Sequence, residues 1–137
     1  MLISNTAQYA IRILLYMAAH PVRKYSAAEL IHELDISDKY LRKIMTGLAK
    51  AGFINSTGGR QGGYIFEKPV NEIRIGDIVF SIEGKEKYMK CMLGFEECSD
   101  EHPCKLHSTW LGIRNDIFNM LNNTSLESLR DVKATKM

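Results

Sequence analysis

Apolar residues recur every three or four positions near the start of the chain, which predicts a first helix. Ser4 or Asn5 can cap this helix, and Pro21 ends it. Apolar side chains cover nearly its whole circumference, as is typical of a helix that is buried on more than one side. Such a helix can pack against a second subunit as well as against its own domain.

The next two apolar patterns predict a helix-turn-helix. Ser26 and Glu29 have the spacing of a capping box, which begins a short helix at 27–34. Ser37 caps a further helix at 38–51. Two helices joined by so short a turn form this motif.

The exposed face of the third helix is predicted to be basic. Its buried stripe would comprise Leu41, Ile44, Met45 and Leu48. The residues left facing outward are Lys39, Tyr40, Arg42, Lys43, Thr46 and Lys50. Basic and hydroxyl side chains near the start of a second helix suit phosphate contact and base reading in a major groove. A solvated helix face that is basic by chance would give the same pattern.

A glycine-rich hairpin after the third helix favours the DNA-binding interpretation. The pattern predicts a strand at 53–57, a glycine-rich tip at 58–63 and a returning strand at 64–66. A helix-turn-helix followed directly by such a hairpin is the order of a winged helix. The glycines would let backbone N–H groups and Arg60 approach a minor groove or phosphates closely. A nucleotide-phosphate loop is disfavoured, because the tip lacks a Walker lysine and leads into a strand.

Two more helices are predicted towards the end of the chain. A short apolar helix at 73–82 ends at Gly84, and a long amphipathic helix spans 105–121. The apolar side of the long helix comprises Leu106, Trp110, Ile113, Ile117, Met120 and Leu121. This side is too long for so small a winged helix to cover alone, so we interpret the element as a dimerisation helix. The alternative is a helix folded back on its own domain. A short turn at 125–129 precedes a polar tail.

All three cysteines lie between these two helices. They are Cys91, Cys98 and Cys104, and two residues separate the last one from His107. Gly, Pro and four acids in the same stretch predict a loop held by a bound group. Three thiolates and an imidazole suit zinc or an iron–sulfur cluster, and the wide cysteine gaps favour the larger cluster. Free thiols, or a disulfide with one cysteine left over, are the alternatives.

Composition and charge bound these interpretations. The chain has 137 residues, of which 45% are hydrophobic and 25% charged, enough for one domain or a small domain with an appendage. No stretch has the apolar length of a membrane span and no cleavage site follows the first apolar segment, so we expect a cytoplasmic protein without membrane contact. Reducing conditions there disfavour a disulfide framework.

The charge is unevenly placed along the chain. Residues 1–74 carry ten Lys and Arg against six Asp and Glu, a net of +4, whereas residues 75–137 carry eight against ten, a net of −2. The first half is therefore the better candidate for meeting a polyanion. We divide the chain into a winged helix-turn-helix domain at 1–84, a cysteine-rich loop at 85–104, and a dimerisation helix with its tail at 105–137.

As a whole, the chain resembles the IscR- and NsrR-type bacterial winged-helix regulators, the Rrf family. The resemblance covers nearly the whole chain and rests on the runs 5–19, 40–52 and 73–84, the wing ending in Gly62-Gly63-Tyr64, the three cysteines and Trp110. It implies a fold that is mainly α with a small β-hairpin. It also implies a homodimeric DNA-binding repressor or activator whose iron–sulfur cluster senses iron–sulfur status, iron, nitric oxide or redox state.

The resemblance also implies roles for particular residues. His107 matches the IscR-like histidine, which would join the cysteines as a ligand and favours a [2Fe–2S] over a [4Fe–4S] cluster. The NsrR-like branch uses an aspartate from the partner's first helix, where this chain has Gln8. The implied ligands are Cys91, Cys98, Cys104 and His107. The implied DNA-binding residues are Ser37, Lys39, Tyr40, Arg42, Lys43, Arg60 and Gln61.

Three features depart from the IscR-like pattern. The first cysteine gap is one residue longer. Gly58 stands where an arginine is common, which leaves Arg60 for minor-groove insertion. Arg42 stands near the place of an acidic base-reading residue, so the chain is expected to recognise a different DNA sequence.

Two other functions compete with a cluster-sensing regulator. A zinc hydrolase or thiol oxidoreductase is disfavoured, because four protein ligands would close a zinc site and the chain has no Cys-x-x-Cys pair. A metal-free or zinc-containing winged-helix regulator is the stronger alternative.

Overall fold

The computed structural model describes residues 2–95, 101 and 103–131. Its α-helices are α1 (Asn5–Ala18), α2 (Ala27–Leu34), α3 (Asp38–Lys50), α4 (Ile75–Glu83) and α5 (His107–Asn123). Within these described residues, an antiparallel hairpin joins β1 (Ile54–Thr57) to β2 (Gly63–Phe66), and 3₁₀ helices span Lys85–Met89 and Glu127–Leu129. The prediction of a mainly α fold with a small hairpin is confirmed.

Serine caps begin the first three helices, as predicted. The hydroxyls of Ser4, Ser26 and Ser37 each accept a hydrogen bond from the backbone N–H three residues later, at 3.1, 3.1 and 3.3 Å. Such a bond satisfies one of the N–H groups that a helix leaves without a partner at its start. The Ser26 side of the predicted capping box is present, whereas the Glu29 carboxylate binds Tyr16 and Arg23 instead.

Several helix boundaries differ from the sequence prediction. Helix α1 ends at Ala18, three residues before Pro21, and α4 begins at Ile75 instead of 73. Helix α5 begins at His107, two residues later than predicted, and continues to Asn123. The 3₁₀ helix at Lys85–Met89 was not predicted.

The core lies between α1 and the other elements of the winged domain. Half of the residues of α1 are buried, which agrees with its apolar circumference. The predicted stripe of α3 is also buried: Leu41, Ile44, Met45 and Leu48. Helix α4 packs against both α1 and α5.

The segment after α5 is anchored beside the segment before α4. The Leu126 N–H donates to the Ile73 carbonyl at 2.7 Å, and the Ile75 N–H donates to the Thr124 carbonyl at 2.9 Å. The Leu126 side chain is fully buried. The C-terminal end of α5 is therefore fixed to the winged domain.

Candidate nucleic-acid interface and cysteine loop

The start of α3 presents an exposed, mostly basic surface. Ser37, Lys39, Arg42 and Lys43 are all exposed, as predicted from the helical pattern. The Ser37 hydroxyl caps α3. A ligand that contacts Ser37 would therefore also contact the N-terminus of the helix. The surface combines positive charge with the backbone N–H groups of a helix start, a combination that suits phosphate oxygens.

Tyr40 is half-buried and packs on α1, whereas the helical pattern predicted that it faces outward. Its hydroxyl forms a 2.7 Å hydrogen bond with the Thr6 hydroxyl, and its ring meets the Tyr9 ring edge-on with centroids 5.5 Å apart. An aromatic pair of this kind adds about 0.5–1.5 kcal/mol beyond area burial. Tyr40 therefore joins α3 to α1, and the periodicity of α3 alone could not indicate this neighbour.

Arg42 has a partner that sequence reasoning missed. Its Nε donates to Oδ1 of Asp38 at 2.8 Å, one helical turn earlier. The spacing of four residues between an acid and an arginine is the available signal. Both side chains remain exposed, so the pair lies on the same face as Lys39 and Lys43.

A tight turn forms the tip of the wing. The Gly62 N–H donates to the Gly59 carbonyl at 3.0 Å, which places Arg60 and Gln61 at the two central positions of the turn. Gly59 has φ +87°, a conformation that glycine adopts without strain. A Cβ at Gly62 would lie 2.4 Å from the Thr57 carbonyl oxygen. Glycine at 62 therefore permits the turn that exposes both predicted DNA-binding side chains.

The wing gains a third backbone segment from the loop between α1 and α2. Tyr25 and Tyr64 exchange two backbone hydrogen bonds of 2.9 and 2.7 Å. The Lys24 ammonium donates to the Gln61 carbonyl at 3.0 Å. Lys24 is thus a cation at the wing that the sequence pattern did not identify. A Cβ at Gly63 would lie 2.6 Å from the Tyr25 carbonyl oxygen, which explains the glycine there.

A cleft of about 370 Å³ lies between α3 and the wing. It is lined by Ala27 at the start of α2, by Arg42, and by wing residues that present hydroxyls and glycine backbone: Ser56, Thr57, Gly58, Gly59, Gly62, Gly63 and Tyr64. The cleft is polar and open. Its lining suits an anionic backbone more than an apolar metabolite.

Two of the three cysteines belong to the described residues. Cys91 lies two residues after the end of the first 3₁₀ helix and is half-buried, and Cys104 is exposed. Both are free thiols within the described part of the chain. The prediction for Cys98 lies outside the described residues.

His107 is the first residue of α5 and is only 7% exposed. Its backbone N–H donates to the Cys104 carbonyl at 3.1 Å, so the two residues share one turn of chain. Among residues 2–95, 101 and 103–131, no three His, Cys, Asp or Glu side chains come close enough to hold a metal ion. Cys91, Cys104 and His107 therefore do not form a complete single-ion site.

Helix α5 fixes the start of the cysteine loop. Trp110 Nε1 donates to the Lys90 carbonyl at 3.2 Å, and the Arg114 guanidinium donates to the Met89 carbonyl at 3.0 Å. Trp110 lies one turn after His107. Cys91 is thus held beside the same end of α5 that carries His107.

A partly buried carboxylate connects the same region to α1. Glu83, at the end of α4, accepts hydrogen bonds from the Ser4 backbone N–H and the Tyr88 hydroxyl, with Lys87 at 3.5 Å. Burial raises the pKa of Glu83, but the hydrogen bonds from Tyr88 and Ser4 and the charge of Lys87 outweigh it, so the pKa lies below its usual value. Burial, reinforced by Glu83, raises the pKa of the Tyr88 hydroxyl.

One side of α5 leaves large apolar side chains exposed. Leu106, just before the helix, is 44% exposed, Ile113 is 48% exposed and Met120 is 55% exposed. These residues are seven positions apart, so they form one stripe along the helix. Ile117, Phe118 and Leu121 contact the core of the chain instead, so two residues of the predicted apolar side, Ile117 and Leu121, pack on their own domain.

Comparison with known proteins places this arrangement in a family. Residues 3–131 match the Rrf2 family, described as an iron-dependent transcriptional regulator. The chain belongs to the Rrf2 family. The sequence-based resemblance is therefore confirmed, and the protein is a transcriptional regulator and not an enzyme.

Relatives of two kinds occur in this family. The HTH-type transcriptional regulator IscR of Pectobacterium atrosepticum is 28% identical over 130 residues, which cover 94% of this chain and 79% of the relative. The structure of CymR, the global cysteine regulator of B. subtilis, has a TM-score of 0.79 at 29% identity, and the match covers 93% of this chain and 95% of CymR. T. potens IscR has a TM-score of 0.69 at 25% identity, with 98% and 90% covered.

These neighbours confirm the winged helix-turn-helix fold. Within the described residues, no helix is both long and apolar enough to cross a membrane.

Proposed function

We propose that the protein is a cytoplasmic, homodimeric regulator that binds double-stranded DNA and responds to an iron–sulfur cluster held by the cysteine loop. The observation that carries this proposal is the attachment of the loop to α5 through Trp110 and Arg114. This attachment links a thiol-bearing segment to the element best suited to join two subunits. The functional parts are the winged domain at 1–84, the loop at 85–104 and the helix and tail at 105–137.

DNA would meet the protein along α3 and the wing. Ser37, Lys39, Arg42 and Lys43 would enter the major groove, while Arg60 and Gln61 at the wing tip would reach the flanking minor groove or its phosphates. Tyr40 would act indirectly, because it packs on α1 and sets the position of the recognition helix.

A second copy of the chain would cover the exposed stripe of α5. Half-buried Trp110 and Ile117 lie between Leu106, Ile113 and Met120 in a spacing that alternates four and three residues, and Ile117 also contacts its own core. This is the spacing of helices that pack side by side. Twofold pairing would place two recognition helices at the two halves of a palindromic site.

The donor chemistry of the loop fits an iron–sulfur cluster. Cys91 is held beside the end of α5 that carries His107, and Cys104 precedes that end by one turn. With Cys98 these residues would supply three thiolates and one imidazole, and the resemblance to the IscR-like branch implies [2Fe–2S] before [4Fe–4S]. A bound cluster supplies a redox-active centre that oxidants or nitric oxide can remove.

A change at the loop would be transmitted both to α1 and to α5. Tyr88 lies three residues before Cys91, and it is tied through Glu83 to the start of α1. Its ring also packs against Phe118 of α5, with centroids 6.4 Å apart. Loss of the cluster could therefore alter the spacing of the two recognition helices, to which a dimer on two half-sites is sensitive.

A cluster-free regulator is the second candidate. It is favoured by the likeness to CymR, the global cysteine regulator of B. subtilis. In that case the same winged helix would bind DNA, and the cysteines would be bare or hold zinc.

Anaerobic purification tests the proposal directly. A cluster protein should be brown or red, contain iron and sulfide, and lose both when Cys91, Cys104 or His107 is changed to alanine. A colourless protein, or iron content that survives every cysteine change, would reject the cluster. A colourless protein that still binds a promoter duplex would support the second candidate.

A further inference from the structure

Asp38 and Arg42 form an ion pair on the face of α3 that is proposed to enter the major groove. The Nε–Oδ1 distance is 2.8 Å, and the Arg42 and Asp38 side chains are 58% and 62% exposed. So exposed a pair adds little to folding stability, because water screens the charges and both side chains lose freedom. Its position on the recognition helix points to a role in binding.

The ion pair leaves a particular edge of Arg42 available. A guanidinium has five N–H donors in a rigid planar fork. Since Nε is used by Asp38, the two terminal nitrogens remain as a two-donor edge. Such an edge matches the O6 and N7 acceptors of guanine, and it also matches two oxygens of a phosphate.

The Asp38 carboxylate distinguishes these two ligands. A phosphate on Arg42 would bring a full negative charge close to the carboxylate, which is repulsive, whereas a guanine edge carries only partial charges. The remaining lone pairs of Asp38 can accept a hydrogen bond from a base amino group, such as cytosine N4. The pair therefore favours a base edge over the DNA backbone.

The surroundings of Arg42 make this distinction necessary. Arg42 lines the cleft towards the wing, whose other walls include the Ser56 and Thr57 residues and several glycines. Hydroxyl and backbone groups of this kind commonly bind phosphates. An arginine without its carboxylate partner would be drawn to the same phosphates.

We infer that Asp38 is a specificity-determining residue of this regulator: it positions Arg42 to read a guanine in the major groove and keeps it away from phosphates. This inference rests on the proposed binding of DNA through α3. Asp38 would determine which DNA sequence is bound and would contribute little to the overall affinity for DNA.

Asp38→Asn is the decisive variant, because it keeps the side-chain size and removes the charge. Discrimination between the preferred and an unrelated duplex should fall about tenfold or more, the range of one bidentate base contact. The slope of log affinity against log salt should become steeper by about one, because Arg42 would now neutralise a phosphate. Asp38→Glu should restore both values, since glutamate reaches an arginine four residues away.

Asp35→Asn is the matched control. Asp35 lies in the turn before α3 at φ +50°, a conformation that asparagine tolerates. The substitution removes one negative charge from the same motif and leaves the Asp38–Arg42 pair in place. Its discrimination and salt slope should stay within about twofold of the wild type.

The experiment begins with selection of duplexes from a randomised library by the full wild-type chain. The selected duplex and a scrambled one are then titrated with wild type, D38N, D38E and D35N at several salt concentrations, and thermal melting is recorded for each. Loss of discrimination in D38N with recovery in D38E supports the inference. An unchanged discrimination ratio and salt slope in D38N overturns the inference. It is also overturned by a loss of discrimination in D38N that D38E fails to restore and that follows a lower melting temperature. Failure of the wild type to select any sequence would reject the proposed DNA-binding function itself, and the inference with it.

Discussion

Trp110 donates a hydrogen bond from its indole nitrogen to the Lys90 carbonyl, 3.2 Å away and one residue before Cys91. The chain contains a single tryptophan, so this side chain both fixes the start of the cysteine loop and reports on it. Helix and loop are 20 positions apart in sequence at this bond. The contact makes the accessibility of Cys91 depend on α5.

We expect Trp110→Phe to expose Cys91. The substitution keeps an aromatic ring but removes the N–H donor, and the loss of one such bond costs about 1 kcal/mol. Alkylation of Cys91 in the metal-free protein, followed by mass spectrometry, should become several times faster. Cys104 is already exposed and serves as the internal control. Equal rates at Cys91 before and after the change would show that the bond does not restrain the loop.

We expect Gly62→Ala to damage the wing, because its Cβ would lie 2.4 Å from the Thr57 carbonyl oxygen and 2.9 Å from the Gly59 carbonyl oxygen. Relief of such a clash costs about 1–3 kcal/mol. Thermal unfolding should show this loss, and duplex affinity should fall because Arg60 and Gln61 are displaced.

Gly58→Ala is the control for that change. An added Cβ at Gly58 would meet none of the described atoms within 4 Å. Its stability and affinity should stay close to those of the wild type. Equal effects of the two alanines would mean that the turn tolerates a side chain at 62.

The helices and the hairpin could be predicted from the sequence because their signals are local. Serine caps, the buried stripe of α3 and the glycines of the wing act within a few residues of each other. The position of the Tyr40 side chain depends on its contacts with Thr6 and Tyr9, which lie more than 30 positions earlier. Such a tertiary contact leaves no periodic signal in α3.

The candidate site shows the same division between local and distant signals. The exposure of Lys39, Arg42 and Lys43 followed from helical periodicity. Lys24 reaches the wing through a backbone pairing of Tyr25 with Tyr64 that no spacing rule indicates. His107 is likewise buried, although its position in the sequence gives no signal of that burial.

Glu83 should make stability depend on pH. Its folded pKa is lowered by the hydrogen bonds and charge that outweigh its burial, so its contribution is present above the unfolded pKa, near 4.5, and is lost as pH falls through the folded pKa. Glu83→Gln should lower the free energy of unfolding at pH 7 by about 1 kcal/mol, because charge-assisted bonds to Tyr88 and Ser4 become neutral ones. It should also flatten the acid limb of a plot of stability against pH.

Glu86→Gln is the matched control for this titration. Glu86 is an exposed glutamate three residues further along the chain, and its change should leave the acid limb as it is in the wild type. Chemical denaturation between pH 3 and pH 7 measures both variants. Identical pH profiles for wild type and Glu83→Gln would contradict the assigned role.

Ile113→Glu should separate the proposed dimer into monomers. Ile113 is central in the exposed stripe of α5 and is 48% exposed in the single chain, so a glutamate there would fold normally but would be buried without a partner in a dimer. Burial of an unpaired charge costs several kcal/mol, which is enough to dissociate a moderately tight pair. Sedimentation equilibrium should therefore report the monomer mass.

Asn115→Glu places the same charge on another exposed side of α5 and should leave the wild-type mass unchanged. Affinity for a palindromic duplex should fall at least tenfold in the first variant alone, because each monomer would hold only one half-site. A dimer mass for Ile113→Glu would exclude the stripe as the subunit interface.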